Sequence, residues 1–140
     1  METLRLPGEL ASLKPIREYV TAAAAKAGLD KLRAYRLSLA VDEIATNVVI
    51  HGYQEAGLAG DILLRITMTD QSIEVIVEDM AAPYNPLLQR VPDNLDAQLI
   101  ERDIGGLGIF MALKSVDDFR YEYTDGCNRN IFVMNRSAQD

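Results

Sequence analysis

Residues 37–53, LSLAVDEIATNVVIHGY, constrain the fold and the chemistry of this chain more than any other segment. Apolar residues recur there at helical spacing, which predicts an amphipathic helix with one face in the core. Glu43 and Asn47 are four residues apart, so a helix places both at one edge of that apolar face. An acid and an amide side by side at the edge of a buried helix, followed later in the chain by the glycine run at residues 105–108, indicate a binding or catalytic site rather than an ordinary surface helix. The apolar positions are Leu37, Val41, Ile44 and Val48.

The composition predicts one globular domain spanning residues 1–140. We expect a cytoplasmic protein, because there is no signal-like segment and no apolar run approaches the ~18 residues that cross a bilayer. The single cysteine, Cys127, excludes an internal disulfide. It sits in a predicted hairpin turn with no partner residue beside it, which argues against a nucleophilic role. The formal net charge of −7 argues against nonspecific nucleic-acid binding, which requires a basic surface.

The charge is unevenly distributed along the chain. Residues 1–36 hold seven basic and four acidic residues, whereas the remainder holds seven basic and seventeen acidic residues. A basic first segment on an acidic body fits a docking surface for an acidic protein partner. An ordinary solvated helix face fits the same pattern.

Local signals predict an α+β fold, a two-layer sandwich in which helices cover one face of a mixed, mostly antiparallel sheet. A first helix that begins near Leu13 has Pro15 in its first turn and Gly28 at its end. Asp30 is an N-cap residue for the second helix, and Asp125-Gly126 is a hairpin turn. The predicted strands are 3–6, 62–69, 72–78, 119–123 and 130–134; the predicted helices are 13–27, 30–53 and 107–116; residues 81–103 are irregular.

Gly105, Gly106, Leu107 and Gly108 form the second notable motif, at the predicted start of a helix. Backbone N–H groups at such a start can bind phosphate oxygens, aided by the helix dipole. A glycine-rich helix entry without a ligand fits the motif equally well. Asp79 ends a predicted strand, where its carboxylate could accept a hydrogen bond from an exocyclic amine or could initiate a turn.

Asn47 and Glu43 fit two different roles in phosphoryl transfer, those of a metal ligand and of a general base. An amide oxygen is an acceptable ligand for Mg²⁺, which also takes waters and nucleotide phosphates. A glutamate one turn away can act as general base towards a hydroxyl group. His51 is the only histidine, so no zinc-type cluster is expected, and we expect it to line the pocket or cap the helix.

Residues 43–53 resemble the N-box of the RsbW-type anti-sigma-factor serine kinases, which belong to the GHKL ATPase superfamily of gyrase, Hsp90, histidine kinases and MutL. The pattern E-x-x-x-N-x-x-x-H-G-Y is specific. Residues 105–108 resemble the second glycine box, and Asp79 falls at the position of the adenine-binding aspartate. The resemblance covers nearly the whole chain.

The resemblance implies a Bergerat-type fold that binds ATP and Mg²⁺. It implies that Glu43 is the general base for a seryl hydroxyl on an anti-anti-sigma partner with a STAS domain, and that Asn47 holds Mg²⁺. It also implies that Arg102 is a lid arginine near the terminal phosphate and that Arg17 contacts a partner. Members of the family commonly form homodimers and switch between a sigma factor and its antagonist.

Ala81 is a departure from the family pattern, which has Asp-x-Gly where this chain has Asp79-Met80-Ala81. The added methyl could crowd the adenine or forbid a positive φ angle.

The first hypothesis for the function is a Mg-ATP-dependent protein serine kinase that also sequesters a sigma factor. The second is a non-catalytic, pseudokinase-like adaptor on the same fold. The ATPase half of a histidine kinase is a weaker third reading, because no helix with a substrate histidine is present.

Overall fold

A computed structural model describes residues 3–88, 109 and 112–136 of the chain. Helices and strands follow the predicted order, and the α+β fold class is confirmed. Ile109 and residues 112–114 are helical, inside the helix predicted at 107–116. The elements are β1 (Leu4–Pro7), a 3₁₀ turn (Leu10–Ser12), α1 (Leu13–Lys26), α2 (Lys31–Asn47), a π-helical segment (Val48–Gln54), β2 (Asp61–Met68), β3 (Ser72–Asp79), a 3₁₀ turn (Pro86–Leu88), β4 (Asp118–Thr124) and β5 (Cys127–Asn135).

The five strands form one sheet in the order β1-β2-β3-β5-β4. All four pairings between these strands are antiparallel, so the parallel pairing implied by a mixed sheet does not occur in the part of the chain that is described. β5 follows a tight turn from β4 and then pairs with β3, so it lies between them. Asp125 and Gly126 both have positive φ, as the predicted hairpin turn requires.

Alternation along the strands separates a buried face from an exposed one. On β3, Ile73, Val75 and Val77 are fully buried and face α1 and α2. The opposite face of the sheet carries ion pairs, among them Arg129 to Glu78 at 3.0 Å and Arg120 to Glu74 at 3.1 Å. The helices therefore cover one face, and the core lies between them and the sheet.

Local capping fixes where the two long helices begin and end. α1 begins at Leu13, which leaves Pro15 in its first turn, and Gly28 follows it with φ of +77°. The Asp30 side chain caps α2 by accepting a hydrogen bond from the Arg33 backbone N–H at 2.8 Å. Within the described residues, no helix is long and apolar enough to span a membrane.

The second long helix changes its geometry where it reaches the predicted site. α2 ends at Asn47, and the chain continues as a π-helical segment to Gln54. The backbone N–H of Glu55 donates to the Ile50 carbonyl at 2.8 Å, five residues back. Such segments are rare and occur frequently at functional sites.

Candidate functional site

A cavity of about 170 Å³ lies between the C-terminal end of α2, the π-helical segment and the end of the central strand β3. The helix-facing side of the sheet is apolar along most of its length but polar here. Asp79 on β3 and Asn128 on β5 are directly paired, and Asn130 follows Asn128 on the same face. The residues lining the cavity are Ile44, Asn47, Val48, His51, Gly52, Ala56, Asp79, Ala81, Ala82, Pro83, Tyr84, Pro86, Asn128 and Asn130.

Asp79 is held rigidly at the wall of this cavity. It is 1% exposed, and its Oδ1 accepts hydrogen bonds from the Ala81 backbone N–H at 3.0 Å and from Asn128 Nδ2 at 2.9 Å. Burial raises the pKa of the Asp79 carboxyl, although these two hydrogen bonds oppose the shift. Both bonds go to Oδ1, so Oδ2 is the oxygen that remains for a ligand.

Asn128 ties the segment that follows β3 to the sheet. Its Nδ2 donates to Asp79 and also lies 3.1 Å from the carbonyl oxygens of both Ala81 and Ala82. Its Oδ1 accepts from the Tyr121 hydroxyl and from the Tyr84 backbone N–H. One buried amide thus positions the carboxylate and the wall of the cavity together.

Ala81 has no backbone strain, because among the described non-glycine residues only Asp125 has positive φ. The expected difficulty for an alanine at this position is therefore one of space alone. A Cβ at Gly52 would lie 3.1 Å from the Ala81 methyl, so the glycine of the HGY motif leaves the room that this methyl occupies. Ala81 is 4% exposed and lines the cavity.

The helical side of the site places Asn47 in the cavity wall. Asn47 Nδ2 donates to the Glu43 backbone carbonyl at 3.0 Å, so Oδ1 is the amide atom that remains for a ligand. Among the described residues, no group of three or more His, Cys, Asp or Glu side chains could hold a metal ion. A cation at Asn47 Oδ1 would accordingly need oxygen ligands from a bound phosphate or water.

Glu43 lies one turn before Asn47 and is half-buried, but it is not among the residues lining the cavity. Burial raises the pKa of its carboxyl, and the neighbouring Asp42 charge raises it further. Arg17, the predicted partner contact, forms an ion pair with Asp42 at 3.0 Å, and about half of its side chain is exposed. The basic first helix therefore meets α2 one residue from Glu43.

The other predicted site residues divide into two groups. His51 lines the cavity as expected, and its Nδ1 lies 2.7 Å from Glu55 Oε1. Arg102 and the glycine motif at 105–108 lie outside the described residues.

Three residues of the site were not predicted from the sequence. Asn128 and Asn130 lie on the same face of β5 as Phe132, because a period of two places these two polar side chains on the core face. Tyr53 is buried, donates to the Asp61 carbonyl at 2.9 Å and accepts from the Met80 backbone N–H at 3.0 Å. These two hydrogen bonds link the π-helical segment to the start of β2 and to the residue that follows β3. No local sequence pattern predicted them.

Comparisons with known proteins bear on the fold and the family of this chain. Among curated proteins, none matches the sequence. Solved structures that match include the RsbU and RsbW domains of Rv1364c from Mycobacterium tuberculosis, with 17% identity and a TM-score of 0.63 over 96% of this chain and 32% of that one. The chain thus spans about a third of that structure's length, and the likeness concerns the fold. The sequence model of the histidine kinase-like ATPase domain matches residues 6–134. The chain therefore belongs to the histidine kinase-like ATPase domain family.

Proposed function

We propose that this chain binds Mg-ATP and transfers the γ-phosphoryl group to a serine of an anti-anti-sigma protein with a STAS domain, and that it also sequesters a sigma factor. We further propose that the chain switches between these two partners in the cytoplasm and that it acts as a homodimer. The observation that carries the proposal is that Asp79 and Asn47 line one cavity, the carboxylate from the sheet and the amide from α2.

The adenine end of the nucleotide would lie against Asp79. Oδ2 can accept a hydrogen bond from the exocyclic amine, because Oδ1 already accepts two. The surrounding wall is largely apolar, with Ile44, Val48 and Pro86 suited to the faces of a purine ring. A fixed carboxylate in an apolar slot gives orientation as well as affinity.

The phosphate end would lie towards Asn47, whose Oδ1 would take a place in the coordination shell of Mg²⁺. When bound, Mg²⁺ neutralises phosphate charge and helps to align the terminal phosphoryl group. We propose that Gly105, Gly106, Leu107, Gly108 and Arg102 bind the phosphates.

Glu43 would act as the general base of the transfer. Its raised pKa makes the carboxylate a better proton acceptor than an ordinary surface glutamate. The seryl Oγ forms a bond to the γ-phosphorus while the bond from that phosphorus to the β,γ-bridging oxygen breaks. ADP leaves, and the seryl proton passes to Glu43.

Arg17 gives the protein substrate a docking point beside this base. A partner carboxylate that reaches the exposed part of Arg17 would compete with Asp42 for the guanidinium group. Because Asp42 adjoins Glu43, such contact would bring the partner's serine to the catalytic turn of α2.

The test is phosphotransfer from Mg-ATP to a cognate STAS-domain antagonist. Glu43→Gln should abolish transfer and leave ATP and partner binding intact, whereas the exposed Glu9→Gln serves as the matched control with full activity. Absence of phosphate transfer from the wild-type chain to every cognate antagonist would refute the kinase proposal.

A non-catalytic adaptor is the second candidate, and the Ala81 methyl in the cavity wall favours it. In that case the chain would sequester its partner and hold nucleotide, if at all, as a structural ligand. Ala81→Gly distinguishes the two, because it should leave transfer by a working kinase intact but create nucleotide binding in a chain whose cavity the methyl has closed.

A further inference from the structure

The sheet has two outer strands, and they differ in what they offer to another strand. The order β1-β2-β3-β5-β4 leaves β1 and β4 with one neighbouring strand each among the described residues. β1 is four residues long and ends in Pro7, which has no backbone N–H to donate. β4, Asp118–Thr124, is seven residues long and contains no proline. The outer side of β4 is therefore the edge at which a further strand can pair with this sheet.

The hairpin between β4 and β5 determines which backbone groups of β4 point outwards. A two-residue turn at Asp125-Gly126 makes Thr124 and Cys127 a hydrogen-bonded pair. Bonded and non-bonded positions alternate along an antiparallel strand, so every second residue of β4 directs its N–H and C=O groups away from β5. These residues are Phe119, Tyr121 and Tyr123.

The side chains of β4 are arranged so that the strand complements a second copy of itself. Two β4 strands can run antiparallel with Tyr121 opposite the partner's Tyr121. Arg120 then lies directly opposite the partner's Glu122, and the two-fold axis repeats this pair of opposite charges. Both side chains are on the open face of the sheet, 58% and 53% exposed. On the other face, Phe119 lies opposite the partner's Tyr123, which brings aromatic rings together.

The charges of β4 also disfavour the neighbouring registers. The outward backbone groups of the two strands face each other only when the axis passes through Arg120, Tyr121 or Glu122, or lies further towards an end of the strand. An axis at Arg120 places two arginines opposite each other, and an axis at Glu122 places two glutamates opposite each other. The axis at Tyr121 opposes unlike charges and pairs all the outward residues of both strands.

We propose that two copies of this chain associate through the outer sides of their β4 strands, with the two-fold axis at Tyr121. The two five-stranded sheets would then form one continuous antiparallel sheet. The proposal assigns a surface to the homodimer and rests on that part of the proposed function. None of the residues that line the nucleotide cavity belongs to β4. Dimerisation can therefore be disrupted without replacing a residue of the cavity.

Two opposite charge reversals test this register. Arg120→Glu leaves acidic residues at positions 120 and 122, and Glu122→Arg leaves basic residues at both. Neither variant can pair with itself without opposing like charges, but the two variants can pair with each other. Arg5→Glu is the matched control, because it makes the same charge change on a 65% exposed side chain of β1, the other outer strand.

Sedimentation equilibrium gives the dissociation constant of the dimer, and thermal denaturation shows that each variant folds. The reversals remove ion pairs to Glu74 and Arg129 within the subunit, which are surface pairs and contribute little stability. We expect the wild type and Arg5→Glu to dimerise with similar affinity, and each reversal alone to weaken the dimer at least about tenfold. An equimolar mixture of the two reversed variants should recover a dimer with one copy of each.

The outcomes separate this inference from the function on which it rests. If neither reversal weakens the wild-type dimer, the chain dimerises through another surface, and this inference fails while the homodimer stands. A mixture of folded variants that stays monomeric would refute the pairing of Arg120 with the partner's Glu122. A wild-type chain that is monomeric at millimolar concentration would refute both this surface and the homodimer, whereas ATP binding and phosphotransfer are decided by their own tests.

Discussion

Replacing Asp79 by asparagine changes one charge in the wall of the cavity and almost nothing in its shape. The amide oxygen can keep the two hydrogen bonds that Oδ1 receives from Ala81 and Asn128, at 3.0 and 2.9 Å. The amide NH₂ group then takes the place of Oδ2 and presents a donor to the donor of the adenine amine. A hydrogen bond to a charged acceptor contributes about 1.5–3 kcal/mol. Its loss should weaken ATP binding by about 10- to 150-fold.

The same substitution should have the opposite effect on the ligand-free fold. Burial raises the pKa of Asp79 in the folded state above its unfolded value. Its contribution to stability is therefore fully present below the unfolded pKa and is lost as pH rises through the folded pKa. An uncharged asparagine escapes that loss, so Asp79→Asn should melt at a higher temperature than the wild type near neutral pH.

Two measurements on Asp79→Asn decide whether this reasoning is correct. Calorimetric titration gives the affinity for ATP, and thermal denaturation at several pH values gives the stability without ligand. Wild-type ATP affinity in the variant would refute the role of Asp79 in base recognition. A lower melting temperature at neutral pH would show that the ionised carboxylate stabilises the fold, contrary to the direction of its pKa shift.

Three further predictions concern Glu43, Tyr53 and Gly8. Because burial and Asp42 raise the pKa of Glu43, transfer should increase with pH through that raised value, and Asp42→Asn should move the midpoint of the pH–rate profile to lower pH; an unmoved midpoint would contradict the assignment. Tyr53→Phe leaves the Met80 N–H without its partner and should reduce the free energy of unfolding by about 1–3 kcal/mol in urea titrations, whereas unchanged stability would show that water replaces the hydroxyl. Gly8→Ala places a Cβ against the buried Tyr53 ring and should cost about 1–3 kcal/mol in the same assay; a neutral effect would mean that the ring has room to move.

The elements that could be predicted from the sequence are those that depend on local chemistry. The Asp30 cap, the Gly28 helix end and the Asp125-Gly126 turn each need only a few neighbouring residues, and each lies where it was predicted. The helical spacing in α2 likewise placed Leu37 and Ile44 in the core. Such features are encoded within one or two turns of chain.

The features that could not be predicted depend on distant pairings. No local sequence pattern distinguishes the π-helical geometry of Val48–Gln54 from a continued α-helix. The contacts that go with this geometry, such as that of Tyr53 with Met80, join residues far apart in the sequence. The sequence predicted a mixed sheet, whereas all four strand pairings among the described residues are antiparallel, since strand partners are chosen across the whole fold. Asn130 becomes part of the site only through its register with Val77.

The departure at Ala81 shows why a motif and its geometry must be considered together. From sequence alone, alanine in place of glycine raised both a conformational and a spatial difficulty. The ordinary φ of Ala81 removes the first, and the space left by Gly52 accommodates the methyl on its helical side.

The most direct test of the account is calorimetric titration of ATP with and without Mg²⁺, on the wild type and on Asn47→Ala. We expect micromolar binding by the wild type that weakens when either Mg²⁺ or the Asn47 amide is removed. In Asn47→Ala, withdrawing Mg²⁺ should then have little further effect. No binding to the wild-type chain at millimolar ATP would contradict the account and leave a partner-binding adaptor in its place.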